Sequence, residues 1–329
     1  MWLSLVLTLI DRLSPAPPSN GLEAILGAWQ RPSDLNAGPV AWWRNFSGDV
    51  YPVPCHSHND YWRRVPLFQA LSVGCMGVEA DLWLDQNATD IFVGHSKRAL
   101  RPDRTLQSLY LEPLATILSH QNSPAEVTTV NASVGINGVF DARPDVSIVL
   151  LLDLKTNGTA LWPVIQRQLA PLRKMGWLTF WDGGVQRLVS RPVTVVVTGN
   201  APFDLVVANS THRDIFYDAP LEDVQNERYS AQNSYYASTS WRRAIGYRGF
   251  GGLRKAQRAT LQRQIRQASE KGLISRYWDT PGWPVSLRND IWRLLVTNDV
   301  GILNVDELVE ASRWDWTWCQ IAGLVLCGW

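Results

Sequence analysis

Glu79 and Asp81 stand two residues apart in VEADLWL, a run that otherwise reads as a buried strand. Alternation along a strand puts both carboxylates on one face. Two such groups make a hard-oxygen site suited to Mg²⁺ or Ca²⁺. Asp153 ends a second apolar run, LLLDLK, and could complete the set. Lys155 shares the face of Asp153, so its ammonium would be poised over an anionic substrate group, phosphate above all. Its plainer role is an ion pair with the acids. His56, in HSHND, and His95, in GHS, also end apolar runs. Imidazole titrates near neutrality, so two of them flanking a phosphorus could act as base and acid. His58 either orients the site or shares the role given to His56. His120 and His212 fall in helix-end or loop contexts and read as structural.

A buried strand has no packing use for unpaired charge at its tip. Polar clusters at the carboxyl ends of successive strands therefore point to the mouth of an α/β barrel, the (β/α)₈ TIM barrel, where function resides in that fold. From Tyr51 onward, strand-like runs alternate with helical patterns, as a parallel sheet with crossovers requires. The pattern predicts strands near 51–56, 77–84, 147–154, 193–199, 214–217, 274–278 and 300–305. A short strand is expected at 90–94 beside the second, and another within 203–208. Helices are expected near 62–74, 106–119, 160–174, 239–246, 254–271 and 286–297. The Ser/Thr/Asn-rich stretch 121–146 reads as a long loop.

The chain has 329 residues, 46% of them hydrophobic and 19% charged, enough for a barrel with extended loops and a large core. A net charge of +1 argues against a nucleic-acid binder driven by bulk electrostatics. Seventeen tryptophans suit either packing or an aromatic rim at a greasy substrate or membrane surface. Cys55 and Cys75 read as buried thiols beside the first two strands. Cys319 and Cys327 could close a small loop, and no CxxC pair suggests zinc. Residues 1–21 read as a signal or anchor segment plus linker, since WLSLVLTLI is of signal-peptide length and too short to span a bilayer with ease. Residues 22–312 form the barrel, and 313–329 an apolar, Trp-rich tail. Sequons at Asn45, Asn87, Asn131, Asn157 and Asn209 fit a secreted glycoprotein.

The run of HSHNDYW, VEADLWL, GHS and LLLDLKT, continued in TGNAPFDL, IFYDAPL, NSYYAS, RYWDTPGWP and ILNVDEL, resembles the phospholipase-C-like phosphodiesterase superfamily. Within it, the chain is most similar to the altered inheritance of mitochondria protein six family. It resembles, more distantly, glycerophosphodiester phosphodiesterases and sphingomyelinase D. The resemblance implies a phosphodiesterase-type barrel in which His56 and His95 are the acid/base pair. Glu79, Asp81 and Asp153 would hold one divalent cation, Mg²⁺ ahead of Ca²⁺. Lys155 would contact phosphate, Trp278 would line the substrate pocket, and Asn59 would neighbour the first histidine. Ser57 stands where the glycerophosphodiesterase pattern has Arg, so phosphate contacts must differ.

The expectation is a metal-dependent phosphodiester hydrolase or transferase acting on a glycerophosphodiester or phospholipid-type substrate. It would work in the secretory pathway or outside the cell, or anchored by its N-terminal segment, with peripheral membrane contact and no nucleic-acid partner. The sequence specifies no oligomeric state. Two alternatives are a non-catalytic barrel that binds a phospholipid head group or protein, and an amidohydrolase-like barrel using His56 and His58 on a metal.

Overall fold

The computed structural model describes residues 18–28, 45–123, 135–246 and 252–313, with positions 2, 6, 320–321 and 324–325. Most of the leader, Cys319, Cys327 and the sequon at Asn131 lie outside the described residues.

Eight parallel strands close a barrel. They are β1 (Val53–Ser57), β2 (Cys75–Leu84), β3 (Ile148–Leu154), β4 (Val193–Gly199), β5 (Ile215–Pro220), β6 (Ser234–Ser240), β7 (Ile274–Trp278) and β8 (Ile302–Val305). Each pairs with the next, and β8 returns to β1 with His56 opposite Asn304. Helices cover the outside, among them Gly158–Lys174, Lys255–Glu270 and Val285–Val296. The helix Gly21–Ala28 buries Leu22 against the helix Phe68–Ser72.

Period-two alternation explains how apolar strands supply both a core and a site. On β3, Leu150, Leu152 and Leu154 join the large outer core beneath the helices. Val149 and Leu151 face the other way and meet Val196, Tyr236 and Ile302 inside the barrel. Asp153 continues that inner face upward, so its carboxylate emerges at the mouth. Each aliphatic chain so removed from water contributes about 1.5–3 kcal/mol, the energy that holds the charged rim in place.

Three expectations change. Cys55 and Cys75 form a disulfide with Cα atoms 4.7 Å apart, because β1 and β2 lie side by side; they are not free thiols. Residues Phe203–Val207 are helical, not a strand. The barrel strand at Ser234–Ser240 was not among those expected. Its sequence, SYYASTS, carries small polar residues instead of an apolar run.

Candidate active site

The carboxyl ends of β1–β4 and β7 surround a cavity of about 390 Å³. Glu79 and Asp153 line it with Lys155, His58, Asn59 and His95. Arg276, Trp278 and Asp279 form its opposite wall.

Carboxylate oxygens of Glu79, Asp81 and Asp153 all lie within 4.8 Å of one another. Register explains this, since Asp81 and Asp153 are direct partners across β2 and β3. Gly199, at φ +67°, makes the approach possible, because a Cβ there would fall 2.1 Å from an Asp153 oxygen. Asp81 Oδ1 is buried with no hydrogen-bond partner among the described residues. Burial raises the Asp81 carboxyl, Lys155 opposes that, Glu79 adds to it, and the result is pushed up to about 6. A buried, unsatisfied carboxylate oxygen amid two other acids is the donor set a hard divalent cation takes. The residues present therefore fit such an ion. Lys155 Nζ lies 2.6 Å from Asp153 Oδ2 and 3.3 Å from Asp81 Oδ2. Both roles expected for it, anion contact and acid pairing, are thus compatible with its place.

The histidines divide differently from expectation. His56 is fully buried in the barrel interior, Nδ1 3.3 Å from the Tyr236 hydroxyl, and does not line the cavity. Burial, then the charges of Arg276 and His58, hold its pKa well below the ordinary value. A Cβ on Gly77 would sit 2.3 Å from that ring, so this glycine is the space His56 occupies. His58, two residues on and one layer higher, is the β1-end histidine at the cavity. Its Nδ1 lies 2.9 Å from Asp306 Oδ1 and its Nε2 3.8 Å from Glu79 Oε2. Burial pulls His58 down, but the Asp306 bond and the Glu79 and Asp306 charges outweigh it, and the pKa is raised.

His95 arrives through a hairpin. The strand Ile91–Val93 pairs antiparallel with β2, and the Gly94 N–H donates to the Asp81 carbonyl at 3.1 Å. That leaves His95 Nδ1 3.5 Å from Asp81 Oδ2, with the ring 5.0 Å from that of Trp62. His212 stacks on Phe180 in a separate small sheet, away from the cavity. His120 ends the helix Glu112–Gln121.

Sequence reasoning overlooked three groups. Tyr61 places its hydroxyl 2.7 Å from Asp81 Oδ2, 2.5 Å from Asn59 Oδ1 and 3.2 Å from His95 Nδ1. Burial, then Asp81, hold this phenol far above its ordinary pKa, so it keeps its proton. Arg276 is buried, donating to Ser238 at 3.0 Å and Asn304 at 2.9 Å, and lies 3.8 Å from Glu79 Oε2. Asp60 accepts from Ser57 Oγ at 2.7 Å, the Leu67 N–H at 2.6 Å and Tyr110 at 3.1 Å, fixing the turn that carries His58 and Asn59. The signals were present in HSHNDYW and RYWD, but aromatic and arginine side chains read as packing or surface until neighbours are known.

The profile of the AIM6-like phosphodiesterase domain matches residues 44–218. The altered inheritance of mitochondria protein 6 homolog of Arthroderma benhamiae is 38% identical over 272 residues, 80% of this chain and 84% of that one. Altered inheritance of mitochondria protein 6 of Eremothecium gossypii is 36% identical over 275 residues, 78% of this chain and 68% of that one. The structure of a glycerophosphoryl diester phosphodiesterase from Parabacteroides distasonis overlaps 82% of this chain and 87% of that one, at 14% identity and a TM-score of 0.43. That likeness is slight, and the barrel assignment stands on strand order. With two long matches above 30% identity and a matching domain profile, the chain belongs to the altered inheritance of mitochondria protein 6 family and carries its phosphodiesterase-like barrel domain.

Proposed function

We propose that this barrel is a metal-dependent phosphodiester hydrolase or transferase for a glycerophosphodiester or phospholipid-type substrate. The observation that carries the reading is one cavity lined by His58, His95, Glu79 and Asp153, with the buried Asp81 carboxylate grouped with those two acids and Lys155 and Arg276 beside them. Glu79, Asp81 and Asp153 would hold one divalent cation, Mg²⁺ ahead of Ca²⁺. Bound there, it would polarise the phosphoryl oxygens and offset developing charge. Lys155 and Arg276 add fixed positive charge for the phosphate. Trp278, at the rim, lines the space for the organic part of the substrate, and Asn59 spaces the Tyr61 hydroxyl from His58.

The acid/base pair becomes His58 and His95 in place of His56 and His95. His58, whose protonated form the Asp306 hydrogen bond favours, donates to the leaving alcohol. His95 takes the proton from the attacking hydroxyl, which belongs to water or to the substrate itself; the latter gives a cyclic phosphate. His56 supports the floor. Among the described residues the group able to hold a metal contains no histidine, which disfavours the amidohydrolase-like alternative.

The test is hydrolysis of glycerophosphodiesters, lysophospholipids and sphingolipids with Mg²⁺, Ca²⁺ or chelator. Parent turnover lost in His58→Ala and in His95→Ala, at unchanged melting temperature, supports the roles. Both variants working at the parent rate on every substrate would overturn them, and metal binding without turnover would favour the binding-only barrel.

We further place the protein in the secretory pathway or outside the cell, its N-terminal segment serving as leader or anchor. The Cys55–Cys75 disulfide and the exposed sequon at Asn87 support this. A glycosidase-sensitive mass shift after eukaryotic expression tests it. Trp62 (60% exposed), Trp278 (37%) and Trp283 (82%) support peripheral membrane contact at the mouth, to be tested by vesicle co-sedimentation.

A further inference from the structure

We infer that Tyr61 is a positioning residue that fixes His95 in its Nδ1–H tautomer and presents the Nε2 lone pair to the reacting group. The inference rests on the proposed acid/base role of His95, and it follows from counting protons. The Tyr61 oxygen has three polar neighbours: Asp81 Oδ2 at 2.7 Å, Asn59 Oδ1 at 2.5 Å and His95 Nδ1 at 3.2 Å. A phenol carries one proton and otherwise only accepts.

Suppose that proton pointed to His95. The phenolic oxygen would then face the Asp81 carboxylate and the Asn59 oxygen with lone pairs only, in a site where Tyr61 and Asp81 are nearly inaccessible to water. Unmade hydrogen bonds of this kind are costly. Given to Asp81, the proton makes a charge-assisted bond to an acceptor-only partner. It also leaves Oδ1, the carboxylate oxygen without a partner, untouched.

Two consequences follow. The Asn59 amide presents its NH₂ to Tyr61, since amide orientation is set by the hydrogen-bond network. His95 Nδ1 then sees acceptors alone, the Tyr61 oxygen at 3.2 Å and Asp81 Oδ2 at 3.5 Å. A neutral imidazole so placed carries its hydrogen on Nδ1. Its Nε2 is left as the basic atom, on a side chain that is 56% exposed and lines the cavity. Tyr61 itself is held by the turn, where its carbonyl accepts from Arg104 and its neighbour Asp60 is anchored three ways. The phenol thereby orients a histidine, the part a carboxylate plays in other acid/base pairs.

The experiment is long-range ¹H–¹⁵N correlation of the histidine rings in the full chain, at a pH where His95 is neutral. His95 in the parent should show a pyrrole-type Nδ1 and a pyridine-type Nε2. In Tyr61→Phe the preference should relax towards the Nε2–H form favoured by a free histidine side chain. With bis(p-nitrophenyl) phosphate and Mg²⁺, kcat of Tyr61→Phe should fall by about 10²-fold with KM nearly constant. An Nε2–H tautomer in the parent overturns the inference, whether or not the variant folds. An unchanged tautomer in a folded Tyr61→Phe does so too. If the parent shows the Nδ1–H form but hydrolyses no phosphodiester, the proposed reaction fails while the tautomer assignment stands.

Discussion

His58 and Asp306 meet across the seam that closes the barrel, with Nδ1 2.9 Å from Oδ1 and the His58 N–H donating to the Val305 carbonyl at 3.0 Å. Burial tends to raise Asp306, but its bond to His58, the charge of that ring and Arg63 hold it below the usual carboxylate range. The His58 pKa is raised, so its contribution to stability is present below the ordinary histidine value and is lost as pH rises through the raised one. The depressed Asp306 contributes above its ordinary value, and that share is lost as pH falls through the depressed one. The pair is therefore intact between those limits, across the mildly acidic range. In Asp306→Asn the His58 pKa should drop, because burial then acts with less opposition. An NMR titration of His58 with an identical midpoint in both proteins would contradict this.

Burial pushes the Asp81 carboxyl up to about 6, and cation binding requires it ionised. Mg²⁺ affinity should be flat above neutrality and weaken by about tenfold per pH unit well below 6, as one proton competes for the site. Calorimetric titration of the full chain between pH 5 and 8 measures this. An affinity independent of pH over that range would place the ion elsewhere.

Gly77 is opposite the His56 ring, and an added Cβ would lie 2.3 Å from Nδ1 and 3.0 Å from the Tyr236 hydroxyl. Gly77→Ala should cost about 1–3 kcal/mol by overpacking the barrel floor. Urea denaturation reads the loss, and a variant as stable as the parent would show that the ring has room to move.

The Cys55–Cys75 bridge spans 20 residues of sequence and ties the first two barrel strands. Its removal in Cys55→Ala/Cys75→Ala should lower stability by about 3 kcal/mol. Coincident denaturation curves would mean that strand pairing alone sets this part of the fold.

The carboxylate set was legible because VEADLWL and LLLDLK are otherwise apolar runs, in which Glu79, Asp81 and Asp153 have no packing role. The choice between His56 and His58 was not. Alternation turns both to one side of β1, and depth along the barrel, which decides between floor and mouth, depends on the register with β2 and β8. The disulfide escaped notice for a related reason, since whether Cys55 and Cys75 come within bonding distance depends on the register of β1 on β2. β6 was missed because SYYASTS shows no apolar run, its inner face filling the barrel with Tyr236 and small polar residues. The helix Phe203–Val207 is too short for its period to separate it from a strand. Tyr61 and Arg276 acquire meaning only from the acids they touch.

The most direct measurement is phosphodiester hydrolysis by the full chain in Mg²⁺, in excess chelator, and in Asp153→Asn at matched stability. Turnover that stops with chelator and falls by about 10²-fold or more in the variant is expected for a cation acting between these carboxylates. Hydrolysis at the same rate in all three conditions would contradict a metal-dependent site at the mouth of this barrel.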